Sequence, residues 1–343
     1  MDTKLPLITI GITCFNAQET VSRAIESAIE QTWDNKEIII IDDCSTDQSQ
    51  IIIQDYACKS PIITYHVNSL NLGCVASRNK ILHEAKGEFV AFFDDDDFSH
   101  PDRLLHQYET IKLAETIYQT NHILCYSSMK RIYPNGYTLH MQALGTAQNG
   151  PLHGTDIANY LLFNGRKSGN FYGFGTPTCC LMFRTILFYL HGGFDETLLR
   201  QEDTDYAIKH SLKGAYFVGS KKELLTQYAT ASIDKTPDKE FISSCAILEK
   251  NKVYLTSLGL YNYALLWAKI RFSHFKKKPF KTLLLLFCLL LLKPRRAFVH
   301  FMRSGPRRFL HERLMNHSGP LHFLWEFTAI FMPYSDKSIK QQK

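Results

Sequence analysis

The sequence predicts an α/β fold: a Rossmann-like, mostly parallel central sheet flanked by helices, with a basic helical carboxy-terminal extension. Two observations carry this expectation. The first hundred residues alternate short apolar runs with amphipathic ones, the pattern of βαβ units. Charge is also polarised: residues 1–250 hold 22 basic and 30 acidic side chains, net −8, while residues 251–343 hold 17 and 3, net +14, giving +6 overall. At 343 residues, 45% hydrophobic and 21% charged, the chain suits one large domain with an appended segment and shows neither disordered nor collagen-like bias.

Strands are expected at residues 7–13, 37–42, 62–66 and 88–93. Between the first two, Val21, Ile25, Ala28 and Ile29 recur at helical spacing, so residues 19–31 read as a crossover helix with one apolar stripe. Two capping boxes, Ser45-Thr46-Asp47-Gln48 and Ser99-His100-Pro101-Asp102, predict further helix starts, the second with Pro101 at the first helical position. Each follows a strand that ends in aspartates. In an open α/β sheet the carboxyl ends of the strands form the ligand crevice, so both acidic clusters point to one site.

Residues 118–178 carry turn signals, Pro134-Asn135-Gly136, Asn149-Gly150-Pro151 and Gly173-Phe174-Gly175, and no strand is assigned there. A buried strand is expected at 179–183 and a helix at 202–213 closed by Gly214. Residues 1–230 are expected to form the catalytic domain and 231–343 a helical carboxy-terminal region.

That region brackets ten apolar residues, 283–292, with Lys276-Lys277-Lys278 and Lys293-Pro294-Arg295-Arg296; Arg303, Arg307 and Arg308 follow. Ten residues fall short of the roughly 20 that cross a bilayer as a helix. An interfacial helix around 276–310, paired with anionic headgroups, fits better. The alternative is a helix packed on the catalytic domain with solvated basic flanks. Nucleic acid is a poorer partner, because the basic residues flank an apolar run and do not interleave with stacking aromatics.

The nine cysteines show no zinc or disulfide spacing, and the first residues show no basic-then-apolar secretory signal. A cytoplasmic location, peripheral at the inner face of the membrane, is expected. The histidines lack metal spacing and read as satisfied or solvated, and the three tryptophans as packing.

Asp94-Asp95-Asp96-Asp97 directly follow a strand. Four adjacent carboxylates repel, and a hard divalent cation, Mg2+ or Mn2+, that also holds phosphates is their natural partner. An acidic surface turn is the competing reading. Asp42-Asp43 close the second strand, where a carboxylate can accept a hydrogen bond from a base or ribose. Glu202-Asp203 open a helix, where they either offset the helix dipole or deliver a general base.

Taken in order, Ile10 to Asn16, residues 37–47, Asn71-Leu72-Gly73 with Arg78-Asn79, residues 93–104, residues 192–196 and Glu202-Asp203 resemble the family 2 glycosyltransferases of GT-A fold. The resemblance spans roughly residues 5–230. It implies a DxD element written Asp94-x-Asp96, with Asp96 and Asp94 toward the metal, Asp94 also toward ribose or diphosphate, and Asp95 at the variable position. It implies further that Asp42, with Asp43 beside it, reads the nucleobase, that Phe15 stacks near it and that Arg78 lies near the nucleotide. Asp203 would be the catalytic base of an inverting reaction, with Glu202 beside it on the acceptor side. Tyr172, Phe174 and Thr176 fall where the family recognises acceptors, and loop packing explains them equally.

Cys44 replaces a usual glycine, and Cys14 stands where a proline is common nearby. The QxxRW motif and multiple membrane helices of processive synthases are absent, which favours one sugar per encounter. The expected activity is therefore transfer of a single sugar, a hexose or N-acetylhexosamine, from a nucleoside-diphosphate sugar, UDP first, to a lipid-linked or cell-surface glycan. Two alternatives stand beside it. A silent membrane adaptor is disfavoured by retention of Asp42, Asp96 and Asp203; a sugar nucleotidyltransferase is disfavoured by the lack of a glycine-rich phosphate loop.

Overall fold

The computed structural model describes residues 5–146, 150–229 and 236–316. It opens with the expected alternation: β1 (Ile8–Cys14), α1 (Val21–Ile29), β2 (Lys36–Asp42), α2 (Ser49–Lys59), β3 (Ile63–Val67), α3 (Cys74–Glu84) and β4 (Phe89–Asp94). β1 lies between β2 and β4, all three parallel, and β3 continues the sheet beyond β2. β1, β2 and β4 are largely buried on both faces, which is why they read as apolar runs, whereas the edge strand β3 is only partly buried. Ile38, Ile40, Phe89 and Phe93 enter the core with Val21, Ile25 and Leu104, while Ile39, Ile41, Val90 and Phe92 enter the opposite core with Val75 and Leu82. Successive side chains along each strand thus serve two layers.

The chain continues through β5 (Phe98–Ser99), α4 (Arg103–Tyr118), β6 (Ile123–Ile132), β7 (Thr138–Met141), β8 (Leu152–His153), α5 (Thr155–Phe163), β9 (Leu181–Arg184), α6 (Ile186–His191), α7 (Glu202–Leu212) and β10 (Tyr216–Tyr228). The sheet runs β3-β2-β1-β4-β9-β6-β10-β5, with β7 on β6 and β8 on β10. β9 is antiparallel to both β4 and β6, so β6 and β10 regain the direction of β1, β2 and β4. The carboxyl ends of these five parallel strands share one edge.

Several local expectations are corrected. Ser45 and Ser99 do not cap helices: α2 starts at Ser49 after Gln48, and α4 starts at Arg103 after Asp102, without side-chain caps. Ser99 is in a strand, paired with Leu225. Cys179 and Cys180 lie in a 3-10 turn, Thr178–Cys180, before β9 begins. The stretch left without strands holds the ten-residue β6, buried through its first seven residues. Part of the Asn149-Gly150-Pro151 turn lies outside the described residues.

Among the described residues five helices follow, α8 (Pro237–Lys250), α9 (Lys252–Ser257), α10 (Tyr261–Phe275), α11 (Pro279–Leu292) and α12 (Pro294–Asn316). Ile247, Leu255, Tyr263 and Leu289 from them share a buried cluster with Ala158 and Leu162 of α5 and Ile208 of α7. The carboxy-terminal helices therefore pack on the sheet's helical layer. Among the described residues no helix is long and apolar enough to cross a membrane.

Candidate active site

The loops after β1 and β2 are tied together by side chains. The backbone N–H groups of Asn16 and Ala17 donate to Ser45 Oγ (2.9 Å) and Ser49 Oγ (2.8 Å), and Thr46 N–H donates to Asn16 Oδ1 (2.8 Å). Cys44 has φ 64°, the left-handed conformation a glycine would adopt without strain. Cys44 therefore carries a side chain in a conformation that favours glycine. Asp42 is fully buried; its Oδ1 accepts from Ser45 N–H (2.9 Å) and Gln50 Nε2 (3.0 Å), while Oδ2 has no partner. An unmet buried acceptor carries a desolvation cost that a ligand donor can remove. Phe15 stands nearly half exposed beside these loops and its N–H donates to Asp95 Oδ2 (3.0 Å). Asp43 has a structural duty: it accepts from Asn68 Nδ2, Leu72 N–H and Gly73 N–H at 2.7–2.9 Å, fixing the loop before α3.

The aspartate run turns at the end of β4. Arg103 of α4 is buried beneath it and donates to the Phe92 carbonyl (2.9 Å), Ser99 Oγ (2.9 Å) and Gln107 Oε1 (3.0 Å), with its guanidinium over the Phe93 ring. One cation thus braces both strands around the turn. Arg23 of α1 lies over the Tyr228 ring and donates to the Asp96 carbonyl. Asp97 is the buried member: Oδ2 accepts from Gln227 Nε2 (3.2 Å) and Oδ1 has no donor. Burial, then the neighbouring Asp94 and Asp96, raise its carboxyl well above the usual range. Burial likewise pushes Asp95 up to about 7, against the Phe15 N–H that favours its anion.

One ligand atom each from Asp94, Asp97 and Cys179 lies within 4.8 Å of the others. Two hard carboxylates, the buried Asp97 with one oxygen lacking a donor, suit Mg2+ or Mn2+, and the thiol is the softer member of the set. The predicted pair was Asp94 and Asp96; the geometry gathers Asp94 with Asp97.

Arg78 joins this cluster to the second acidic pair. From α3 its Nη1 reaches Glu202 Oε1 (2.5 Å) and its Nη2 reaches Asp94 Oδ1 (3.4 Å), all largely buried. The two acids at the start of α7 part in consequence. Burial raises Glu202, but the charge and hydrogen bond of the facing Arg78, a backbone N–H bond and the Arg200 charge together hold the carboxyl below its ordinary value. Asp203 is pushed up to about 6 by burial and then by the Glu202 charge, against its bond from Thr204 N–H (2.6 Å). Paired acids with divergent titration commonly mark acid–base sites.

A cavity of about 630 Å3 lies elsewhere, on the outer face of α3, lined by Asn79, Lys80, His83 and Tyr189 among others. None of the acidic residues above lines it.

A family model described as glycosyl transferase family 2 matches residues 9–188. The chain belongs to glycosyl transferase family 2. This family 2 glycosyltransferase is 30% identical over 256 residues to the cholesterol galactosyltransferase of Borreliella burgdorferi, covering 73% of the chain and 66% of that relative. It is 33% identical over 111 residues to the succinoglycan biosynthesis protein ExoO of Rhizobium meliloti, covering 32% and 31%. The chain thus spans less than two thirds of either relative's length. S. aureus TarS 1-349, solved in complex with UDP-GlcNAc, superposes with a TM-score of 0.57 at 18% identity, covering 86% of this chain and 84% of that one. That likeness supports the GT-A architecture: a mostly parallel sheet flanked by helices.

The sequence reading of this glycosyltransferase missed Arg23, Arg103, Gln227 and Cys179. Asp97 was visible in the run but not its burial. Gln227, near the end of a strand more than a hundred residues away, carries no local signal at all.

Proposed function

We propose that the chain transfers a single sugar, with inversion, from a UDP-sugar to a hydroxyl of a lipid-linked or cell-surface glycan at the cytoplasmic face of a membrane. The observation that carries this is the split between Glu202 and Asp203. Asp203, with its carboxyl near neutrality at a helix start, can take a proton from an acceptor hydroxyl at pH 7. Glu202, held ionised by Arg78, keeps that base beside a fixed negative charge and can orient the acceptor.

In the reaction, Asp203 removes the acceptor proton as the acceptor oxygen forms a bond to the anomeric carbon. The bond from that carbon to the β-phosphate oxygen breaks on the opposite face, and its electron pair leaves with UDP. Asp42 Oδ2 would accept from the base imide, and Phe15 would stack on the base. Asp43 would act through the loop it holds, and Asp95 through its bond to Phe15. Asp94 and Asp96, with Asp97, would hold Mn2+ or Mg2+, which neutralises charge on a leaving diphosphate. Arg78 would sense the donor through Asp94.

Support comes from the family, from the ordered aspartates at one sheet edge, and from the galactosyl transfer and succinoglycan biosynthesis that the names of the two relatives state. The test is calorimetry of the full chain against nucleoside diphosphates with and without Mn2+, followed by sugar-release assays on Asp203→Asn. UDP binding that needs Mn2+ and weakens on Asp42→Ala by about tenfold or more is expected, the range of a charged hydrogen bond. Asp203→Asn should bind UDP normally and turn over about 10²–10⁴-fold more slowly. Failure of every nucleotide to bind would sink the reading.

A further inference from the structure

The outer surface of the carboxy-terminal helices runs against the rule that apolar stripes face inward. On α11, Leu285, Leu286 and Leu289 pack toward the shared core with α10. Phe280, Leu283, Leu284, Phe287 and Leu291, spaced at helical intervals, point the other way; Phe280 is 87% and Leu291 70% exposed. α12 adds exposed Phe298, Phe301 and Met302. So broad an apolar surface on one face marks an interaction site.

Charge identifies the partner. Residues 276–303 contain eight Lys or Arg and no Asp or Glu. Lys276 pairs with Asp238, whereas Lys277, Lys278, Lys281, Lys293 and Arg295 are exposed and make no ion pair with a described residue. A second copy of this chain would bring the same cations face to face. Fourteen residues of α11 span about 21 Å, short of the roughly 30 Å hydrocarbon layer. We infer that α11 and the first half of α12 lie in the plane of an anionic bilayer, the Phe and Leu stripe among the acyl chains and the flanking cations on lipid phosphates.

The placement also concerns the active site. The far end of α12 reaches the turn after β6: Asn135 Nδ2 donates to the Leu314 carbonyl (3.1 Å), and the Tyr133 hydroxyl lies 3.3 Å from His311 Nε2. That turn stands at the sheet edge that also carries Asp42 and Asp94. α12 therefore links the docked surface to the ligand edge and sets it beside the bilayer. The docking surface stands on its own observations; delivery of an acceptor to that edge rests on the proposed transfer reaction.

The test is co-sedimentation of the full chain with vesicles of phosphatidylcholine alone and of phosphatidylcholine mixed with phosphatidylglycerol. Binding to the mixed vesicles, weakening as salt rises, is expected. The triple variant Phe280→Ser, Leu284→Ser, Phe287→Ser changes only exposed side chains and should lose it. Reversing Lys277, Lys281 and Lys293 to Glu should lower affinity by about fivefold or more per charge. No binding by the wild type, equal binding by the serine variant, or a dimer that the serine variant dissolves without vesicle binding would each overturn the inference. UDP calorimetry on the same variants keeps the two readings apart: vesicle binding without nucleotide binding would sink the transfer reaction and leave the surface standing.

Discussion

At the scale of single residues, the acidic edge costs the fold stability. Asp203 has a carboxyl raised to about 6 from an ordinary value near 3.8, so the folded chain holds its proton more tightly than the unfolded one. Stability from that group is full below pH 4 and is lost as pH rises through 6. Asp203→Asn should accordingly raise Tm at pH 7.5 while slowing turnover about 10²–10⁴-fold, and thermal melts set against activity read both. In the wild type, kcat/KM should rise across an acid limb near pH 6, and this limb should be missing from the residual activity of the variant. Asp97 offers a metal-dependent counterpart. Mn2+ bound to the native state alone raises Tm by mass action. Wild type should show this rise in melts with and without EDTA, and Asp97→Asn should not.

At the scale of elements, α7 carries the acid pair at its start and, near its other end, His210, which joins a histidine cluster with His122 and His191. His122, just before β6, stacks on His191 of α6 with centroids 4.5 Å apart, and its Nε2 lies 2.8 Å from Nδ1 of the buried His210. Burial, then the His191 and Lys213 charges, lower His122 to about 4. Lys209 and Lys213 face the cluster, while the nearest acid along α7, Asp205, is paired with Lys250. The unfolded chain binds more protons between pH 6.5 and 4, so stability should fall across that window. His122→Gln should flatten the fall in melts taken at stepped pH. The same elements show what local sequence can reveal. β1, β2 and β4 were legible because burial on two faces leaves continuous apolar runs ending in charged turns. β6 was not, since its buried Ser127 and Ser128 look like loop residues until tertiary partners are in place: Ser128 Oγ donates to the Ser220 carbonyl and accepts from Ala143 N–H. The capping boxes failed for a related reason. Ser45 Oγ accepts from Asn16 N–H across the loops, and Ser99 Oγ accepts from the Arg103 guanidinium, not from a backbone N–H of α4.

At the scale of the whole molecule, the proposed function and docking surface assign chemistry to the acidic amino-terminal part and location to the basic tail. The charge asymmetry was legible from letters alone, and so was the acidic edge. The joining of the two through the turn after β6 was not, because it depends on contacts between residues some 178 apart in sequence. The outward stripe of α11 has a kinetic consequence. A chain held flat on a bilayer meets a lipid-borne acceptor by diffusion in two dimensions, so its rate answers to the mole fraction of acceptor in the membrane and not to its amount per volume. Diluting such an acceptor with inert anionic lipid, at constant bulk concentration, should slow turnover in proportion to surface density, while a soluble acceptor fragment at equal concentration should leave the rate indifferent to how much lipid is present.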